Sequence, residues 1–236
     1  RLRPLSGARR AQNDTNTFVS REPAGSDPGR LSRMDDPQAW LTLARVPGLH
    51  AGPVREARID PRALLHESPA TLAALGLRAD HVAALRRPDR DGIARDERWL
   101  MGTGRRVIGW GTPEYPAQLA GIYDPPLALF VEGDVAALSL PQLAIVGSRN
   151  PTPLGRDTAE QFARHLAAAG LAITSGLALG IDSAGHRGAL QAGGQTVAVL
   201  GCGLDRIYPR GHAELAREVA AHGALVSDLP TGTPPL

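Results

Sequence analysis

The chain has 236 residues, 42% of them hydrophobic and 4% aromatic, and its 26 basic residues, all arginine, stand against 24 acidic ones for a formal charge of +2. No apolar run approaches the roughly 18 residues of a membrane span and no apolar signal-peptide core is present, while the single cysteine, Cys202, excludes an intrachain disulfide and a cysteine-cluster metal site. A cytoplasmic globular protein of one or two domains is expected, with no membrane association and a mildly basic balance that permits a polyanionic partner without requiring one.

Residues 1–34 mix Arg, Ser, Gly, Pro and Asn without a sustained apolar period, and read as disordered or as an extension upstream of a start at Met34. Residues 35–99 carry helical punctuation and are expected to form a small helical domain. In DDPQAWLTLARV the residues Trp40, Leu41, Leu43, Ala44 and Val46 fit one helix face, and PGLHAGP then turns the chain. Ser68 and Pro69 open a further helix as N-cap and first helical residue, and RADHVAALRR and RDGIARDERWL follow. The turn VPGLHAG suits a helix-hairpin-helix or SAM-like module, whose backbone N–H groups can meet a DNA phosphate; it suits a bare helix-turn-helix connection equally well.

From residue 100 to 236 the period changes. RRVIGWG and LALFVEG read as strands separated by a short helix or turn and the breaker DPP, and should extend the sheet that follows. Strands are expected at 143–147, 171–175, 196–201 and 224–228, alternating with helices at 156–169, 181–192 and 212–222. That alternation predicts an α/β, Rossmann-like, mostly parallel doubly wound sheet. In its first helix Ala159, Phe162, Ala163 and Leu166 should face the sheet, and the strand at 224–228 is expected near the sheet boundary with an unpaired edge.

Ligands of such sheets bind at the carboxyl ends of the strands. Three glycine-rich loops fall there, each opening toward a helix N-terminus that favours an anion, so a phosphate-bearing ligand is the first inference. In GSRNPTPLG, Gly147 ends a strand, Ser148 and Arg149 offer a hydroxyl and a guanidinium, Asn150 follows, and Pro151 and Pro153 stiffen the loop. Arg149 stands where the dinucleotide fingerprint needs its second glycine, which disfavours a nicotinamide or flavin cofactor. In TSGLALGIDSAGH, Ser175 and Gly176 close a strand; Asp182 and His186 lie four apart on one helix face and are expected to pair, while neither a catalytic triad nor a metal site is supported. GCGLDRIYPRGH places Arg206, Arg210 and His212 where they could add charge to the rim that holds Arg149.

The ordered motifs VGSRNPTPLG, SGLALGIDSAGH, VAVLGCGLDRIYP and SDLPTGTPP resemble the DNA-processing protein A (DprA/Smf) family, from about residue 105 onward. The resemblance implies a non-enzymatic protein that binds single-stranded DNA, usually as a dimer, and loads the RecA recombinase during natural transformation, without a cofactor or metal. It implies phosphate contacts from Gly147, Ser148, Arg149, Ser175, Gly176 and Arg210. The chain departs from the family at Leu179, where many members carry Arg or Lys, and the family continues past Gly-Thr-Pro-Pro into a Phe-Pro-x-Arg-Asn-Arg segment expected to complete the pocket. A rival class, nucleotide-hydrolysing enzymes related to lysine decarboxylase-like phosphoribohydrolases, would need a Pro-Gly-Gly-x-Gly-Thr-x-x-Glu motif that is not found in the chain.

Overall fold

The computed structural model of the protein describes residues 36–235; the reading of residues 1–34 lies outside them. The helical stretch starts at α1, Pro37–Ala44, where the Asp36 carboxylate accepts from the N–H groups of Gln38 and Ala39 and Pro37 needs no donor partner. The same device recurs. Asp60 caps a 3-10 turn at Pro61–Leu65, Ser68 caps α3, Pro69–Ala74, as its sequence predicts, and Asp89 caps α5, Arg90–Leu100. Between them lie α2, Gly52–Ala57, and α4, Ala79–Arg86.

The VPGLHAG turn is committed to the protein's own backbone. Leu49 N–H donates to the Val46 carbonyl at 3.1 Å and Ala51 N–H to the Pro125 carbonyl at 3.0 Å, and His50 forms a bridge with Pro126. The Leu49 N–H is thus used within the turn itself, and the Ala51 N–H docks the helical layer on the loop at 125–126.

The sheet has six strands: β1 Arg105–Gly109, β2 Ala128–Gly133, β3 Gln142–Ala144, β4 Ala172–Ser175, β5 Thr196–Val199 and β6 Gly223–Ser227, in the order β1-β2-β6-β5-β4-β3. β3 to β6 are parallel, and β2 joins β6 antiparallel with β1 outside it. A short helix, α6 Ala117–Ala120, connects β1 to β2, and α7 Pro153–Ala168, α8 Ile181–Gln191 and α9 Ala213–Ala221 follow β3, β4 and β5.

The expected position of the last strand is corrected here. β6 runs through the middle, paired on both sides and buried at every residue, because successive crossovers lay the parallel strands down in one direction and the β1–β2 hairpin then covers the far side. Leu225 of β6 shares one core with Phe130, Ala198 and the α9 residues Leu215 and Val219, joined by Leu41, Ile93 and Trp99 from the helical stretch. Ala224 and Val226 face the other way, toward Tyr115, Ile108 and Leu138. The helices before β1 thus complete the sheet's core, and residues 36–235 belong to one compact unit.

Phe162 is the second correction, being 64% exposed. The buried row of α7 is Ala159, Ala163 and Ala167, because α7 lies so close to α8 that a Cβ on Gly188 would stand 2.1 Å from the Glu160 carbonyl oxygen. A row of methyl groups fits that gap; an aromatic ring does not. Among the described residues no helix is long and apolar enough to cross a membrane.

Candidate nucleic-acid interface

The loops after β3, β4 and β5 meet at the carboxyl edge of the parallel strands. Gly180, at φ +83°, lets them close up: a Cβ there would lie 2.2 Å from the Ser148 carbonyl oxygen and 2.7 Å from that of Arg149. The Ile181 N–H donates to the Ser148 carbonyl at 3.1 Å, and the Ser148 hydroxyl oxygen accepts the Asn150 N–H at 3.0 Å. Residues 147–150 are all exposed.

A cavity of about 160 Å³ opens between these loops, lined by Arg149, Gly176, Leu179, Cys202, Tyr208 and Pro235 among others. Its size is below the roughly 300–1,000 Å³ of pockets that enclose a small-molecule ligand or cofactor. Among the described residues the Arg149 guanidinium has no hydrogen-bond or ion-pair partner. A larger cavity of about 500 Å³ lies beside residues 44–50 and 228–230, but Asp89 and Asp228 on its lining oppose a phosphate.

The structure brings Arg149 and Gly176 to the same cavity but turns the Ser175 side chain inward. Ser175 is 3% exposed, and its hydroxyl donates to the Ile145 carbonyl at 2.6 Å, tying β4 to the segment after β3. Arg210 is exposed in the 3-10 turn Arg210–His212, one residue beyond the cavity lining at Pro209. Arg206 is also exposed, 3.9 Å from Asp205. His212 is not on the rim: it is 7% exposed and its Nδ1 bonds the Leu177 carbonyl at 2.8 Å, holding the second loop from below.

Asp182 and His186 do not pair. The Asp182 carboxylate accepts the N–H groups of Gly176 and Ala178 at 3.2 and 3.4 Å, so it shapes the second loop and satisfies donors a ligand would otherwise meet. The His186 Nδ1 lies 2.7 Å from the Thr196 hydroxyl, which donates at 2.7 Å to the Ile173 carbonyl, so the imidazole is the donor of the first bond. Burial, helped by nearby His212, pushes the His186 pKa down to about 4. The residue is a neutral staple in the floor of the site.

The helix N-termini contribute less positive potential than the glycine-rich loops suggest. Thr152 caps α7, whose first residue is a proline, and the start of α8 is occupied by Ser148 and Asp182. Attraction for an anion therefore falls to Arg149, with Arg206 and Arg210 further out. Two wall residues are hard to foresee from composition. Tyr208, 54% exposed, turns toward the cavity from the Tyr-Pro pair of the third loop, and Pro235 reaches it from the end of the last strand's loop. Burial raises the Cys202 thiol pKa, so that wall is neutral. Among the described residues no group of three or more His, Cys, Asp or Glu side chains could hold a metal ion.

The sequence profile of the family described as DNA recombination-mediator protein A matches residues 106–236. Protein Smf of Escherichia coli (strain K12) is 38% identical over 204 residues, which is 86% of this chain and 54% of that protein. DNA processing protein DprA of Bacillus subtilis (strain 168) is 39% identical over 133 residues, 56% of this chain and 45% of that one. The chain thus spans about half the length of the curated relatives it matches. Among solved structures, DNA processing protein A from Streptococcus pneumoniae aligns with a TM-score of 0.69 at 28% identity, over 84% of this chain and 70% of that chain. DNA processing protein A from Helicobacter pylori, described for its single-stranded DNA binding mode, aligns with a TM-score of 0.50 at 32% identity, over 56% of this chain and 59% of that chain.

Proposed function

Because the chain belongs to the DNA recombination-mediator protein A family, we propose that it binds single-stranded DNA across the carboxyl edge of its sheet and hands the strand to a RecA-type recombinase during transformation. The observation that carries this reading is Arg149, an exposed guanidinium in a small cavity with no partner among the described residues. A planar, permanently charged fork suits a phosphate. The Ser148 hydroxyl and the Gly147 and Gly176 backbone line the path beside it, and Arg210 offers a second charge further along. Tyr208 gives an aromatic face on which an unpaired base can stack.

A cavity of about 160 Å³ suits one phosphate or one splayed base and is closed to a rigid duplex. None of its lining residues is a carboxylate, which supports a binding role over hydrolysis. The recombinase partner, a homodimeric assembly and a cytoplasmic setting belong to the same proposal, supported by the family. The test is fluorescence anisotropy with matched single- and double-stranded oligonucleotides across a salt series. Single strands should bind more tightly, with a log-log salt slope of about −0.7 per phosphate neutralised. A duplex preference or a salt-independent affinity would sink the reading.

A further inference from the structure

The helical stretch before β1 does more than cover the sheet. Asp96 of α5 is 0% exposed. Its Oδ1 accepts from the Thr231 N–H at 2.9 Å, from the Thr231 hydroxyl at 2.7 Å and from Arg45 Nη2 at 2.9 Å, while Oδ2 accepts from Arg45 Nε at 2.6 Å. Arg45 Nη2 also donates to the Thr231 carbonyl at 3.0 Å. Every polar atom of Thr231 is therefore held by one buried ion pair from the other end of the chain.

That grip is passed on in two directions. Gly232 N–H donates to Asp205 Oδ1 at 2.8 Å, and Gly203 N–H donates to the Thr233 carbonyl at 3.1 Å, so the loop after β6 is laced to the turn that follows Gly201 and Cys202 of the cavity. A Cβ on Gly203 would lie 2.6 Å from the Pro230 carbonyl oxygen and 2.9 Å from the Thr231 Cα, a separation that fixes one loop against the other. Beyond Thr233 come Pro234 and Pro235, whose φ angles are set by their rings, and Pro235 is itself a wall of the cavity.

We infer that Asp96, with Arg45, is a positioning residue for the DNA cavity: from the helical layer it sets the loop at 230–235 and, through Gly203 and Asp205, the wall at 201–202. The inference rests on the reading of the cavity as a single-strand site. It makes the helical layer and the DNA edge energetically coupled, so by linkage a bound strand must tighten the Thr231 clamp.

The test uses the whole chain with a fluorescent single-stranded oligonucleotide, well below the melting temperature of each variant. Asp96→Ala leaves the buried Arg45 with only the half-exposed Asp89, 3.1 Å from its Nη1, and is unsuited to a binding assay. Thr231→Val removes only the hydroxyl at constant shape, and Thr231→Ser restores it; Asp96→Asn weakens the whole clamp. Thr231→Val and Asp96→Asn should weaken binding about fivefold to tenfold, of the order of one buried hydrogen bond, with the salt slope unchanged because no phosphate contact is lost. Thr231→Ser should bind as the parent does, and the oligonucleotide should slow hydrogen exchange at the Thr231 and Gly232 amides. Arg149→Ala is run beside them. If Arg149→Ala weakens binding while Thr231→Val and Asp96→Asn lower only the melting temperature, the clamp is structural and the inference fails alone. If Arg149→Ala binds as the parent does, and Thr231→Val likewise, the cavity is not the DNA site and the positioning role falls with it.

Discussion

Two walls of the same cavity are built on opposite plans. The wall at 147–150 is exposed throughout, held by the Ile181 N–H on the Ser148 carbonyl and by the Asn150 N–H on the Ser148 hydroxyl, and presents a guanidinium with no partner among the described residues. The wall at 230–235 is tied at nearly every polar atom between Thr231 and Thr233, to Asp96, Arg45, Gly203 and Asp205. The first keeps its donors for a ligand and draws little stability from its side chains; the second spends its polar groups on placement. Direct phosphate contact should therefore belong to the first wall and stability to the second, which acts on binding through placement alone, and each of the following measurements can break that division.

The largest effect is expected at the tied wall. Asp96→Ala leaves the buried Arg45 with only the half-exposed carboxylate of Asp89 and should cost about 3–5 kcal/mol in urea unfolding. A loss of less than about 1 kcal/mol would mean that water reaches Arg45 and that the clamp is soft. Next is the floor that both walls stand on. His186 is neutral when folded with a pKa near 4, against about 6.5 when unfolded, so the unfolded chain takes up the proton first. Its contribution is fully present above pH 6.5 and is lost as the pH falls from 6.5 toward 4, amounting to roughly 3 kcal/mol at the acid end. The acid limb of the stability curve should flatten in His186→Gln. If the limb is unchanged, protonation elsewhere governs it.

At the open wall the order reverses. Arg149→Ala should leave the unfolding midpoint within about 0.5 kcal/mol of the parent. It should weaken single-strand binding by about 1.5–3 kcal/mol, the range for a hydrogen bond to a charged group, and reduce the salt slope by one contact. A variant that unfolds early but binds normally would invert the assignment of the two walls.

What could be read from the sequence tracks how local each determinant is. The strand-end glycines, the caps at Ser68 and the alternation from 143 to 228 are local patterns, and the structure has them within a residue or three. Arg149 and Gly176 come to one cavity as their strand-end positions suggest. Sheet order is not local: β6 finds its second neighbour in β2, a strand laid down some ninety residues earlier, and nothing in GALVS distinguishes a central antiparallel contact from an open edge. Likewise the Asp182–His186 spacing was compatible with a pair, but each side chain met a better partner from another element, a loop N–H for the carboxylate and Thr196 for the imidazole. Asp96 and Thr231 are 135 residues apart, so their contact has no spacing to betray it.

The smallest effect, and the sharpest test of how the open wall works, lies at Tyr208. Its ring is 54% exposed at the cavity while its neighbour Pro209 closes the lining, so the phenol is placed for contact with a ligand and makes little contribution to the core. If the ring stacks on a base, Tyr208→Ala should cost about 1–3 kcal/mol of single-strand affinity, and toward the lower figure because the ring is open to water on one side. Stacking needs the ring and not the hydroxyl, so Tyr208→Phe should bind like the parent. It also carries no charge, so the salt slope should stay where it was while the slope of Arg149→Ala falls. An abasic oligonucleotide completes the argument, since removing the base should erase the difference between Tyr208 and Tyr208→Ala but leave the effect of Arg149→Ala intact. Should Tyr208→Phe lose as much as Tyr208→Ala, the hydroxyl makes the contact, and the third loop reads the backbone as the first loop does.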